Sequence, residues 1–160
     1  MLDITLLCVG KLKESYFAAA CGEYGKRLGA YCRLTVTELA EARRSSDPTP
    51  GELAAALARE AEAIRAAVPK GAALIVLSPE GRLLPSEALA AALEKYAASG
   101  VSKLCFLIGG SDGIDAALKR DAALLLSMSP MTFPHHLARV MLLEQLYRAF
   151  TITRGGKYHK

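Results

Sequence analysis

No stretch of this 160-residue chain approaches the roughly 18 to 20 consecutive apolar residues that a membrane-spanning helix needs, so no span and no membrane partner are expected. The opening run, Met1-Leu2-Asp3-Ile4-Thr5-Leu6-Leu7-Cys8-Val9, has no basic region ahead of its apolar residues and is interrupted by Asp3. It reads as a buried strand rather than a signal peptide. Tryptophan is absent, yet 52% of the residues are hydrophobic, which excludes a largely disordered chain. Cys8, Cys21, Cys32 and Cys105 form no Cys-x-x-Cys pair, and no histidine is spaced to complete a zinc site. Reduced cysteines packed in a cytosolic core, with no metal, are the expectation. No internal repeat or low-complexity tract occurs. Neither a Gly-x-Gly-x-x-Gly dinucleotide fingerprint nor a Gly-x-x-x-x-Gly-Lys phosphate loop is present.

What the chain does have is an alternation of short apolar runs with longer alanine-rich segments, the pattern of an α/β domain with a mainly parallel sheet flanked by helices. Strands are expected at Leu2 to Val9, Arg33 to Leu39, Ala73 to Leu77, Leu104 to Ile108 and Leu124 to Met128. A helix from Thr49 to Ala67 announces its start: Thr49 as N-cap, Pro50 as first helical residue and Glu52 as capping-box partner. Pro69 and Gly71 stop it, and a second helix, Glu87 to Ala98, follows Ser86 and ends before Gly100. The segment from Glu41 to Thr49 is charged and proline-bearing, and reads as a mobile surface loop. Nothing shifts composition enough to divide the chain, so 160 residues make one domain, 1–160.

The helix from His136 to Phe150 is apolar nearly all round, leaving a narrow polar stripe of Arg139, Glu144, Gln145 and Arg148. The reading is that one side packs on its own sheet and the other on a partner, most economically a second copy in a homodimer. Arg148 either pairs with Glu144 four residues earlier or faces an anionic partner. After Glu144 no acid occurs, while Arg148, Arg154, Lys157 and Lys160 follow, so the modest net charge of +4 is concentrated where it can meet phosphates.

Three loops follow predicted strands: Ser78-Pro79-Glu80-Gly81-Arg82, Gly109-Gly110-Ser111-Asp112-Gly113 and Ser129-Pro130-Met131-Thr132-Phe133-Pro134. At the carboxyl ends of parallel strands they can line one pocket, with bare glycine backbone as a wall. Taken together, Leu107-Ile108-Gly109-Gly110-Ser111-Asp112-Gly113, Phe133-Pro134-His135, Glu144-Gln145-Leu146-Tyr147-Arg148-Ala149 and the terminal Tyr158-His159-Lys160 resemble the ribosomal RNA large subunit methyltransferase H family, over essentially the whole length.

That resemblance implies a SPOUT-class methyltransferase with a C-terminal trefoil knot, working as a homodimer. It implies S-adenosyl-L-methionine as cofactor, and as substrate N3 of a pseudouridine in the ribosomal RNA of assembled ribosomes. The family's cofactor contacts fall on Leu77, on Gly109 and Gly110, and on Ser129, Pro130, Met131, Thr132, Phe133 and Pro134. Two departures stand out. The family commonly has Leu-Asp and then Gly-Lys after the third strand, where this chain has Leu77-Ser78 and Gly81-Arg82. At the terminus, Lys160 replaces an arginine and loses its planar fork.

A ring N3 must lose its proton to attack a methyl group, and His159 is the candidate for assisting it, since imidazole titrates near neutrality. Tyr158 can stack on a base, while Arg154 and Lys157 can hold phosphates. The tail of one subunit is expected to complete the cofactor pocket of the other. His135 and His136 are read as residues near the cofactor or the helix start. Two alternatives stay open. A non-catalytic ribosome-associated RNA-binding module would bind no cofactor, and a SPOUT enzyme acting on transfer RNA would usually carry extra RNA-binding segments.

Overall fold

The computed structural model describes residues 1–160. Five strands run in parallel in the order β2-β1-β4-β3-β5: β1 (Leu2–Val9), β2 (Cys32–Leu39), β3 (Ala73–Leu83), β4 (Lys103–Ile108) and β5 (Leu124–Ser127). Between and after them lie α1 (Ser15–Leu28), α2 (Pro50–Ala67), α3 (Ser86–Ala98), α4 (Ala116–Asp121) and α5 (His135–Thr153). The expected sheet is present, with every strand pair parallel.

Both faces of the sheet are covered, which is why β4 reads as an unbroken apolar run from Leu104 to Ile108. Alternate residues serve alternate faces. Ile4, Leu6, Cys8, Leu104 and Phe106 pack with Leu28 of α1, Leu93 of α3 and Leu142, Leu143 and Leu146 of α5. Leu7, Val9, Cys105 and Leu107 face the other way, toward Ala61 and Ile64 of α2 and Leu118 of α4. Burial pushes the Cys8 and Cys105 thiols up to about 12, so both are packing residues and not nucleophiles.

The capping box at Thr49 forms as the residues predict: the Glu52 amide donates to Thr49 Oγ1 at 3.2 Å and the Thr49 amide to Glu52 Oε2 at 3.3 Å. Such a cap is worth about 1 kcal/mol. The helices α1 and α4 lie where the sequence pattern marks no element. Alanine and glycine blur the first, and the second is only six residues long.

The all-round apolar character of α5 has a cause inside the chain. It packs against both α1 and α3 as well as the sheet, and none of its residues is fully exposed. Tyr31 of the α1–β2 turn stacks on Phe150, and Tyr24 of α1 meets Tyr147. Its polar stripe is likewise consumed internally. Arg139 is buried and donates to Glu38 at 3.0 Å and to the Gly10 carbonyl at 3.3 Å. Arg148 takes the pairing alternative, donating through Nε to Glu144 Oε1 at 3.0 Å. The apolar flanks therefore do not by themselves call for a second copy.

A second correction concerns β3. Ser78 to Arg82, expected as a loop, is a bulge within a strand that continues to Leu83, the register against β5 jumping between Leu77 and Arg82. Gly81 allows the passage: a Cβ there would lie 2.6 Å from the Leu125 carbonyl oxygen.

Candidate cofactor cleft

At the carboxyl ends of β3, β4 and β5 lies a cleft of about 660 Å³. The bulge supplies Leu77, Ser78 and Pro79. The turn after β4 supplies Gly109, Gly110, Ser111 and Gly113. The segment after β5 supplies Ser129 and Met131 to His135. Of the residues singled out as cofactor contacts, Leu77, Gly109, Gly110, Ser129, Met131, Thr132, Phe133 and Pro134 all line this one cleft; Pro130 does not. Pro130 instead sits inside a local turn, in which Ser129 Oγ accepts from the Met131 amide at 3.0 Å.

Each wall is shaped by a local constraint. A Cβ on Gly109 would stand 2.5 Å from Ile114 Cγ1 and 2.9 Å from the Gly113 carbonyl oxygen, so nothing larger fits. Gly113 adopts φ +88°, in the left-handed region that glycine alone enters freely. Its amide donates to the Gly110 carbonyl at 3.2 Å, closing the turn. Asp115 then caps α4 by accepting from the Ala117 and Leu118 amides at 2.9 and 3.3 Å.

The departure at Ser78 has a structural answer. Its hydroxyl donates to Glu80 Oε2, and Lys119 Nζ donates to Glu80 Oε1 at 2.6 Å. Lys119 first and Ser78 second hold the Glu80 carboxyl down at about 2. A carboxylate is thus kept at this corner, two residues along, tied to a lysine that lines the cleft. Sequence reading missed Lys119 and Ile114 as lining residues, because no local motif marks the first turn of a short helix that folds back over a strand end. His135 lines the cleft and is the first residue of α5. Burial, then the neighbouring His136, lowers its pKa, so it is neutral at pH 7.

The tail lies elsewhere. The α5 helix closes with a left-handed glycine cap: Gly155 has φ +65°, the Gly156 amide donates to the Thr151 carbonyl at 2.7 Å and the Gly155 amide to that of Ile152 at 3.0 Å. This reverses the chain along α5. Tyr158 Oη donates to Glu144 Oε1 at 3.0 Å, and the Arg148 guanidinium lies 4.7 Å from the Tyr158 ring centre. His159 sits between Glu87 Oε1, 2.9 Å from Nε2, and Arg148 Nη1, 3.3 Å from Nδ1. A guanidinium only donates, so Nδ1 accepts and Nε2 carries the hydrogen toward Glu87. Arg154 lies 4.7 Å above the Tyr31 ring. None of Arg154, Tyr158 and His159 lines the cleft of its own chain.

With this geometry in place, comparison with known proteins is decisive. Residues 2–159 match the family described as predicted SPOUT methyltransferase. The chain belongs to the SPOUT methyltransferase family. Among curated SPOUT relatives, the ribosomal RNA large subunit methyltransferase H of Bifidobacterium adolescentis is 45% identical over 159 residues, covering 99% of this chain and 100% of that protein. The proteins of the same name from Acetivibrio thermocellus and Bacillus pumilus are 43% and 42% identical, with the same coverage. A Legionella pneumophila protein assigned as a methyltransferase, solved with the cofactor SAM bound, shares the fold. The TM-score is 0.53 at 14% identity, over 92% of this chain and 66% of that one.

Proposed function

We propose that this chain transfers the methyl group of S-adenosylmethionine to large-subunit ribosomal RNA. The carrying observation is that a full-length relative of the three rRNA methyltransferases gathers eight of its nine expected cofactor residues into one cleft. The finer reading is methylation at N3 of a pseudouridine on the assembled ribosome, in the cytoplasm, by a homodimer of single-domain subunits spanning residues 1–160, each with a trefoil-knotted C-terminal part.

The cleft suits the cofactor in size and chemistry. Its volume lies within the roughly 300 to 1,000 Å³ of small-molecule sites. Apolar Leu77, Ile108, Ile114 and Leu126 offer surface for a base, and the backbone of Gly109, Gly110 and Met131 to Phe133 offers polar groups for a sugar. When bound, S-adenosylmethionine supplies an electrophilic methyl group on a sulfonium.

Everything else falls to the chain. Attack is an in-line displacement, so alignment of the acceptor nitrogen and exclusion of water carry the rate. The glycine wall and the Phe133-Pro134 segment fix the donor side. Arg154, Tyr158 and His159 are proposed to hold the acceptor side, Tyr158 against the base, Arg154 on phosphate and His159 at the ring proton. With Nε2 carrying its hydrogen toward Glu87, only Nδ1 has a lone pair to take a proton, so Nδ1 must leave Arg148 and the tail must shift off α5 when substrate arrives.

That Arg154, Tyr158 and His159 do not line their own chain's cleft favours completion of the site by the other subunit's tail. Mixing Gly110→Trp protein with His159→Ala protein tests that: activity returns in mixed dimers if sites form across the interface and stays absent if they do not. The function itself is tested with labelled cofactor and unmodified ribosomes, assembled and as separate subunits, followed by mapping of the methyl group. Label on a large-subunit pseudouridine is the expected result. Failure of the chain to bind S-adenosylmethionine in calorimetry would overturn it.

A further inference from the structure

The segment joining β2 to α2 contributes nothing to the lining of the cleft, yet it is bonded to the cleft's glycine wall. Glu41 Oε1 accepts from the Ser111 amide at 3.3 Å. The same oxygen stands 2.6 Å from where a Cβ on Gly110 would be, so the carboxylate fills the space the missing side chain leaves. Three residues on, Arg44 grips Asp112 with two donors, Nε to Oδ2 at 2.6 Å and Nη2 to Oδ1 at 2.8 Å. A fork on a carboxylate fixes orientation as well as distance, which a single contact does not.

The other side of the segment is fastened to α2. The Ala42 amide donates to Glu60 at 2.9 Å, Arg59 donates to the Arg43 carbonyl at 2.8 Å, and Ser45 Oγ donates to Glu52 at 2.7 Å. Through Ala61 and Ile64, α2 is packed on the sheet. Glu41 to Thr49 is thus a tied strap, not the loose loop its composition suggests. The turn it meets has few constraints of its own. Gly110 to Gly113 buries no side chain in the core and closes on the single Gly113 to Gly110 hydrogen bond.

We infer that Glu41 and Arg44 are positioning residues of the cofactor site, holding the Gly110–Asp112 wall where the cofactor needs it without touching the cofactor. The inference rests on the reading that this cleft takes S-adenosylmethionine. A purely stabilising role is the competing account, and the surface location of the Arg44–Asp112 pair separates the two. Its side chains are each 27% exposed, and such pairs add little to global stability. What they set is local: the position of one turn.

The test is a double-mutant cycle on the full chain, with Arg44→Gln, Asp112→Asn and the two combined. Calorimetric Kd for S-adenosylmethionine and for S-adenosylhomocysteine, KM and kcat on unmodified ribosomal subunits, and Tm are recorded together. Each single variant should weaken cofactor binding by about fivefold to tenfold, leave kcat at saturating cofactor within about twofold, and barely move Tm. The combined variant should be no worse than either single one, and the exchanged pair Arg44→Asp with Asp112→Arg should recover part of the loss. Glu41→Ala should act in the same direction. Unchanged Kd in the variants, or losses that add in the combined variant, would overturn the inference while the cofactor reading stands. A wild-type chain that binds neither ligand would overturn both.

Discussion

In the cleft, position is dictated by backbone: Gly109 has no room for a Cβ, Gly113 needs φ +88°, and Gly81 slips past the Leu125 carbonyl. In the tail, position is dictated by a few polar side-chain contacts, Tyr158 to Glu144 and His159 to Glu87 and Arg148. At Gly109 and Gly81 the constraint can be relieved only by moving neighbouring backbone, so these walls exist before any ligand arrives, while the Gly110–Asp112 turn leans on Glu41 and Arg44. Of the tail's contacts, His159 to Glu87 is exposed and the other two are half-buried. An exposed ion pair is worth about 0 to 1 kcal/mol, and a hydrogen bond to a charged group about 1.5 to 3 kcal/mol in favourable cases. One region is fixed mainly by backbone and the other mainly by side chains.

The largest effect should come from attacking the rigid side. Gly109→Val puts side-chain atoms into Ile114 and the Gly113 carbonyl, and overpacking of this kind costs about 1 to 3 kcal/mol. Because the displaced atoms are the wall itself, cofactor affinity should fall by roughly a hundredfold or more. Calorimetry with a parallel melting curve measures both. Unaltered affinity would mean that the wall is not this turn.

Removing residues 156–160 attacks the other side. Methyl transfer should drop by about a hundredfold or more, while cofactor affinity stays within about twofold and the melting temperature within a few degrees, since the tail is proposed to hold the acceptor side and lines no part of its own chain's cleft. A parallel loss of affinity would make the tail part of the cofactor wall and erase the distinction between the two regions.

The same division governs what could be read from the residues. The Thr49-Pro50-Glu52 cap, the strand runs and the glycine turn were legible because each is decided within a few residues. The cleft was legible too, since parallel strands bring their carboxyl ends together whatever the distance in sequence. What escaped was settled by partners far along the chain. The Ser78–Arg82 bulge depends on β5, the burial of Arg139 depends on Glu38 about a hundred residues away, and the strap at Glu41 to Thr49 depends on a turn some seventy residues later. Composition called that strap mobile, but composition cannot show that Arg44 meets Asp112. Nor can it show that α1 and α3 pack against α5.

A smaller effect distinguishes how the tail is tethered. Burial, with Tyr24 and Glu144 beside it, pushes the Tyr158 hydroxyl up to about 12 from an ordinary 10.0. The folded state therefore favours the protonated phenol. Its contribution to stability is present below about pH 10 and is lost as pH rises toward 12. Glu144→Gln removes the charge that opposes phenolate formation and loosens Arg148. The alkaline fall in Tm should start earlier for wild type than for a Tyr158→Phe variant, and Glu144→Gln should narrow that gap. An identical alkaline profile in wild type and Tyr158→Phe would mean that the phenol is not tethered at all.

The smallest expected effect lies back beside the cleft, at the Glu80–Lys119 corner. Glu80 titrates at about 2, held down mainly by Lys119 and then by Ser78. Because the folded pKa is depressed, the stabilisation is present above the ordinary carboxylate range and disappears as pH falls toward 2. With the Glu80 side chain 58% exposed, solvent screens the pair and the gain is slight. Lys119→Met should flatten the acid limb of the Tm profile between about pH 4.5 and 2 and lower neutral stability by the same slight amount, with the two proteins converging near pH 2. If Lys119→Met instead lowers cofactor affinity at neutral pH by more than about tenfold with no change in the acid limb, the lysine is a ligand contact held in reserve by Glu80 and not a structural tie. The rigid side of the molecule would then contain a mobile charge of its own, and the contrast between a fixed cleft and a detachable tail would hold for the backbone only.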